Sequence, residues 1–244
     1  MRDLIEFIRQ YDPEFPSKVR GASIEETARL EQLVGRDLPA HYKEFLLHLG
    51  KNMGDLQMPE TDFHIGRVLK FYEVGKRKPP ARYIFIGAQL EDPYDRYLLD
   101  CGDSARQDCP VVRADPQEPF KTTDNLWVSF PSLKDMLFVL AFSVKRMESL
   151  PHRRQFTPSL EEGEDGLSRV PPGLMDSLGK IMAMQGFERQ PYTSELNPLF
   201  ERGDAAFYAS RNPEGGGMTA ELAAQDEREF KRLIEVIRDN TALL

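Results

Sequence analysis

The chain has 244 residues, 40% of them hydrophobic and 30% charged, enough apolar material to bury a real core and too much for a wholly disordered chain. Forty acidic against thirty-two basic residues give a net charge of −8, which repels nucleic acid and anionic lipid and attracts a basic protein. No stretch reaches the roughly 20 apolar residues a bilayer-crossing helix needs, and acids interrupt the opening MRDLIEFIRQYDPEF where a signal peptide is apolar, so a soluble, cytoplasmic protein is expected.

The first helix signal is SIEE at 23–26, a capping box in which Ser23 and Glu26 satisfy each other's backbone donors. It predicts a helix to Val34 that stops at Gly35. In LPAHYKEFLLHLGKN, residues 38–52, Pro39 suits a first helical position and Tyr42, Phe45, Leu46 and Leu49 form one apolar stripe. Gly50 is expected to end that helix in a left-handed turn. Ile65, Val68, Leu69 and Tyr72 repeat the spacing before Gly75, although RVLKFYEV also reads as a strand.

The middle of the chain changes period. RYIFIGA, RYLLDC and CPVVRA are short β-branched or aromatic runs between turn formers, the pattern of an antiparallel sheet. Leu133, Met136, Leu137, Leu140, Ala141, Val144 and Met147 then form the longest helical stripe, expected to cover one face of that sheet. Residues 151–173, rich in proline, glycine and charge, read as a linker or exposed loop. Beyond them the pattern is helix, hairpin, helix: a stripe from Leu174 to Met182, strands around AAFYAS and MTAELAA, and a helix near 226–240 with Glu227 and Lys231 as an i, i+4 pair.

Side chains that could do chemistry are sparse. His41 and His48 stand two helical turns apart, too far to share a metal, and His64 and His152 belong to no metal-binding motif. Cys101 and Cys109 are too few for a disulfide framework and lack zinc-site spacing, which favours a reducing compartment. The glycines at 215–217 have no following lysine and suit a hairpin turn better than a phosphate cradle. The basic run GKRKPPAR reads as a solvated loop. No cofactor or metal is expected.

The acids are distributed unevenly. Residues 88–118 hold eight acids against Arg96, Arg106 and Arg113, a net of five of the eight surplus negative charges. Tyr94, Tyr97 and Trp127 are interleaved or close by, and large amphipathic rings beside acids suit contact with a basic partner. The candidate partner-binding residues are therefore Glu91, Asp92, Tyr94, Asp95, Tyr97, Asp100, Asp103 and Trp127; the alternative is that the turns are acidic for backbone reasons and the tyrosines face the core.

SIEETARLEQLVGRDLPAHYKEFLLHLGKN resembles the start of the SUKH superfamily, which includes bacterial immunity proteins and a yeast cell-wall assembly regulator. Ile24, Gly35, Leu38, Pro39, Tyr42, Phe45, Leu46 and the turn at 50–52 occupy the family's positions. YIFIGAQLEDPYDRYLLDCG is similar to its central hairpin, with Glu91-Asp92-Pro93 where many relatives have glycine or asparagine. PVVRADPQE and then NLWVSFPSLKDML are similar to the next strand and the closing Ser-Phe-x-x-helix. The resemblance covers residues 20–150 and implies an α+β fold in which an antiparallel sheet is flanked by helices. Domains are expected at 1–150 and at 174–244; the resemblance does not cover the latter, a small helix-hairpin-helix lobe whose size alone leads to the expectation that it packs on the first.

What the resemblance implies is binding without catalysis. Its residues are mostly structural, with Tyr42 and Phe45 as core positions. The first expectation is an immunity protein that neutralises a cognate basic toxin domain, a nuclease for instance. A scaffold or regulator that binds a non-toxin partner is the alternative, and an enzyme built on the acidic hairpin stands below both.

Overall fold

The structure is a computed structural model that describes residues 1–56, 61–75, 78–90, 96–102, 107–114, 126–162, 168–214 and 217–244. None of its helices is long and apolar enough, among these residues, to cross a membrane. The chain is α+β with antiparallel sheets and divides into two units between Leu137 and Phe138.

In the first unit, α1 (Arg2–Arg9) and α2 (Phe15–Lys18) bury Leu4, Phe7, Ile8 and Phe15. The capping box starts α3 (Ile24–Val34): Glu26 N–H donates to Ser23 Oγ at 3.2 Å, and Ser23 N–H donates to the Glu26 carboxylate at 2.8 Å. Gly35, at φ +80°, ends it in the left-handed region that favours glycine. Pro39 stands just before α4 (Ala40–Leu49), and the predicted stripe of Tyr42, Phe45, Leu46 and Leu49 is buried. Gly50 differs from expectation, with φ −65°. The chain is turned there by tertiary bonds: Gly50 C=O accepts from Ile65 N–H, and Arg20 C=O accepts from Lys51 and Asn52.

β1 (Thr61–Asp62) precedes α5 (Ile65–Val74), whose first turn is capped by His64, its Nδ1 accepting from Gly66 N–H at 2.9 Å. β2 (Tyr83–Gln89), β3 (Arg96–Asp100), β4 (Val111–Ala114) and β5 (Leu126–Phe130) follow and pair in the order β1-β2-β3-β4-β5, all antiparallel. α5 is fixed to β2 by two aromatic residues. Phe71 stacks on Phe85 with centroids 3.9 Å apart, and Tyr72 Oη accepts from Phe85 N–H at 2.9 Å. The β2–β3 register shifts between Phe85 and Gly87, where a Cβ on Gly87 would lie 2.5 Å from Phe63 Cδ1 and 2.8 Å from Asp62 O.

The long stripe from Leu133 is helical but not uniformly α. α6 (Leu133–Ala141) gives way to a π-helical turn, Phe142–Met147, a widening that re-aims side chains. The boundary between the units falls inside α6, not at 150.

The second unit also differs from expectation in that part of the predicted linker is sheet. β6 (His152–Phe156) pairs with β12 (Met218–Ala224) from His152↔Ala224 to Phe156↔Ala220. Its polar side chains carry no burial signal, and backbone hydrogen bonds at a sheet edge need none. The short ladder of β7 (Glu161–Glu162) and β8 (Ser168–Arg169) follows, then α7 (Leu174–Met184), β9 (Glu188–Arg189), β10 (Leu199–Arg202), β11 (Ala205–Arg211), β12 and α8 (Glu227–Asn240). The sheet order is β6-β12-β11-β10-β9, so the predicted hairpin is its centre. Phe156, Phe207 and Leu222 form one apolar core with Leu174, Leu178, Leu233 and Ile237 of the two helices.

Two consequences can be measured. Gly87→Ala forces a methyl into Phe63 and the backbone of Asp62, and chemical denaturation should show a loss of about 1–3 kcal/mol. In the second unit, Arg232 and then Arg202, at 2.7 Å each, hold the Glu229 carboxyl down to about 2 from its ordinary 4.5. A depressed carboxyl stabilises the fold above its unfolded pKa and loses that contribution as pH falls through the folded value. Stability should therefore decline between about pH 4.5 and about 2, with a shallower decline in Glu229→Gln when urea midpoints are compared across that window.

Candidate functional site

Of the eight residues the sequence singles out, Glu91, Asp92, Tyr94, Asp95 and Asp103 lie outside the described residues. The other three fall in the sheet of the first unit. Tyr97 pairs with Arg113, and Arg113 with Trp127, so these side chains form one row across β3, β4 and β5 on one face. The Arg113 guanidinium lies 5.5 Å from both ring centroids, a double cation–π contact. Burial pulls its pKa down. Gly87 continues the row on β2, and Phe63 meets Tyr97 edge-on at 5.4 Å.

The row grades from core to surface. Tyr97 is 2% exposed; burial pushes its phenol up, against a hydrogen bond with Thr61. It is a wall of the core, which corrects its reading as a contact residue. The reason is its strand position, because alternation turns Tyr97 toward Phe63 and Arg113. Trp127 is half-buried, on a strand whose residues are all half-buried, so part of its ring remains available. A ring held against a cation in this way has little rotamer freedom left to lose.

Asp100 is separated from this row. It lies at the other end of β3, opposite Tyr83, three residues or about 10 Å along the strand from Tyr97. Its carboxylate accepts from Arg82 Nε and Nη2, both at 2.6 Å, and from Gly102 N–H at 3.1 Å. That fork raises the Arg82 pKa. Asp108, another acid of the same window, accepts from Cys109, Leu133 and Lys134 N–H groups. Both described acids are thus engaged in internal bonds, and the acid-rich window does not behave as one patch across them.

The histidines have local tasks. His64 caps α5, His48 Nδ1 lies 2.8 Å from Glu44 O within its own helix, and His41 Nδ1 lies 3.0 Å from Asp108 Oδ2. Among the described residues no group of three or more His, Cys, Asp or Glu side chains is arranged to hold a metal ion. A groove of about 340 Å³ between α5 and the sheet is lined by Arg67, Lys70, Phe71, Val74, Phe85 and Arg96. Its positive lining is the wrong sign for a basic partner. The residue that sequence reasoning missed is Arg113, whose signal was its position inside the otherwise apolar VVRA run, between Tyr97 and Trp127.

No family model matches the chain, and no curated protein matches it. The division of roles within the row can be tested by stability alone. Tyr97→Ala removes a fully enclosed ring and should cost about 3–5 kcal/mol in chemical denaturation. Trp127→Ala, which empties a half-buried site, should cost less than half as much.

Proposed function

We propose that this chain is a non-catalytic protein-binding module of the SUKH type, an immunity protein that holds and neutralises a cognate basic toxin domain inside the producing cell. The observation that carries this reading is the half-buried Trp127 braced by Arg113, since tryptophan and arginine dominate the energetic centres of protein interfaces. The element order supports the resemblance: the capped helix α3, the helix after Leu38-Pro39, the β2–β3 hairpin, β4, β5 and α6 follow one another as in the SUKH pattern.

Physical chemistry connects that surface to neutralisation. A nuclease must be basic to hold phosphate, so a chain of net charge −8 is drawn to it by long-range attraction. Once docked, a rigid aromatic anchor excludes water and slows release, and occlusion of the phosphate-binding surface suffices to block the toxin without any bond being made or broken.

The test is binding to the toxin domain encoded beside this chain's gene. The two purified proteins should form a complex whose association slows as salt rises, and Trp127→Ala should weaken it about tenfold or more while circular dichroism stays unchanged. No binding to any neighbouring gene product would reject the reading. A complex indifferent to Trp127 would place the contact surface elsewhere.

A further inference from the structure

We propose that Cys101 and Cys109, facing each other where the β3–β4 hairpin leaves the sheet, are a redox modification site that a hydroperoxide closes into an intramolecular disulfide. They are the chain's two cysteines. Both are free and buried, 2% and 1% exposed, with their Sγ atoms 3.2 Å apart.

The backbone explains why they meet. β3 and β4 pair from Arg96↔Ala114 to Leu99↔Val111, and the ladder continues past the strand ends, with Asp100 N–H donating to Pro110 O at 2.9 Å. The next rung sets Cys101 against Cys109. Their peptide groups point away from each other: Cys101 N–H donates to Arg82 O, Cys109 N–H to Asp108 Oδ1, and Cys109 C=O accepts from Leu133 N–H. This is the geometry of a non-hydrogen-bonded antiparallel rung, whose Cα atoms stand about 4.5 Å apart. Disulfides span Cα separations of about 4.4–6.8 Å. Closure therefore needs side-chain rotation and no separation of the strands.

The contact also activates the pair. The S–H of one thiol stabilises the thiolate of the other, and this contact lowers the Cys109 pKa while raising that of Cys101. The same disulfide forms whichever thiol attacks first. With Cys109 as nucleophile, its thiolate attacks one oxygen of hydrogen peroxide, forming an S–O bond and breaking the O–O bond; the departing hydroxide takes a proton and leaves as water. Cys101 sulfur then attacks the Cys109 sulfenic sulfur, the S–O bond breaks, and the sulfenic OH leaves as water with the Cys101 proton. Two thiols and one peroxide give one disulfide and two waters. The neighbouring Gly102 is exposed, and hydrogen peroxide is little larger than the water that reaches it. The bond would lock the rung next to Asp108, whose carboxylate accepts from the first N–H groups of α6.

The experiment treats the folded full chain with hydrogen peroxide, quenches it, denatures it, and reads intact mass with maleimide labelling. The expected product is a monomer lighter by the mass of two hydrogens that takes up no maleimide and recovers both labelling sites with dithiothreitol. Cys101→Ser should instead stop at a Cys109 sulfenic acid trapped by dimedone. Should that variant unfold, Cys101→Ala, with circular dichroism as the check on folding, gives the same readout. Persistence of both thiols, oxygen adducts on both without hydrogen loss, or a disulfide-linked dimer would each overturn the proposal.

Discussion

The carboxylate of Asp108 ties together three parts of the first unit. One oxygen accepts from Cys109 N–H at 2.8 Å and Leu133 N–H at 3.1 Å, while the other accepts from Lys134 N–H at 3.1 Å and lies 3.0 Å from His41 Nδ1. The first N–H groups of a helix have no partner inside it and carry partial positive charge, so a carboxylate arriving from elsewhere in the chain satisfies both needs. Gln107 O accepts from His41 N–H, and Cys109 O from Leu133 N–H. The starts of α4 and α6 are thereby held to the same end of the β3–β4 hairpin. The cysteine rung lies at that end, so its geometry is inherited from this anchor.

Alternation along the strands distributes the remaining roles. In the first unit it gives Gly87, Tyr97, Arg113 and Trp127 to one face, with burial decreasing toward β5, and sends Asp100 to the strand end, where Arg82 neutralises it. In the second unit it gives Phe207 and Leu222 to the apolar core. The opposite side chains, Ala206, Tyr208, Glu221 and Ala223, share the other face. Ala206 and Ala223 are fully buried there, and their small size suits close approach of the π-helical turn. Ser143 of that turn bonds Tyr208, and Arg146 reaches Glu201 at 2.6 Å. Burial pushes the Tyr208 phenol up to about 12 and raises the Glu221 carboxyl. A half-buried polar layer of this kind is tolerable because its members satisfy one another.

Much of the fold was legible because its signals are local. The capping box, the stripe on α4, the hairpin strands and α8 with its Glu227–Lys231 pair depend on neighbours within a few residues, and each formed as read. β6 was illegible for the converse reason: HRRQF has no apolar alternation, and its partner β12 lies more than sixty residues away. The π-helical turn escaped notice because its residues continue the same apolar stripe, and periodicity does not separate α from π over two turns.

The candidate site divides along the same line. Sequence by itself determined that the chain is acidic, that its middle is an antiparallel sheet, and that Tyr97 sits on a strand, since composition and local β propensity require no knowledge of what stands opposite. Only the tertiary structure decided that Tyr97 is enclosed, that Arg113 lies between the two rings, that Asp100 and Asp108 are engaged internally, and that the two cysteines meet. Each of these follows from register, and register is set by backbone pairing between segments that carry no mark of their partner.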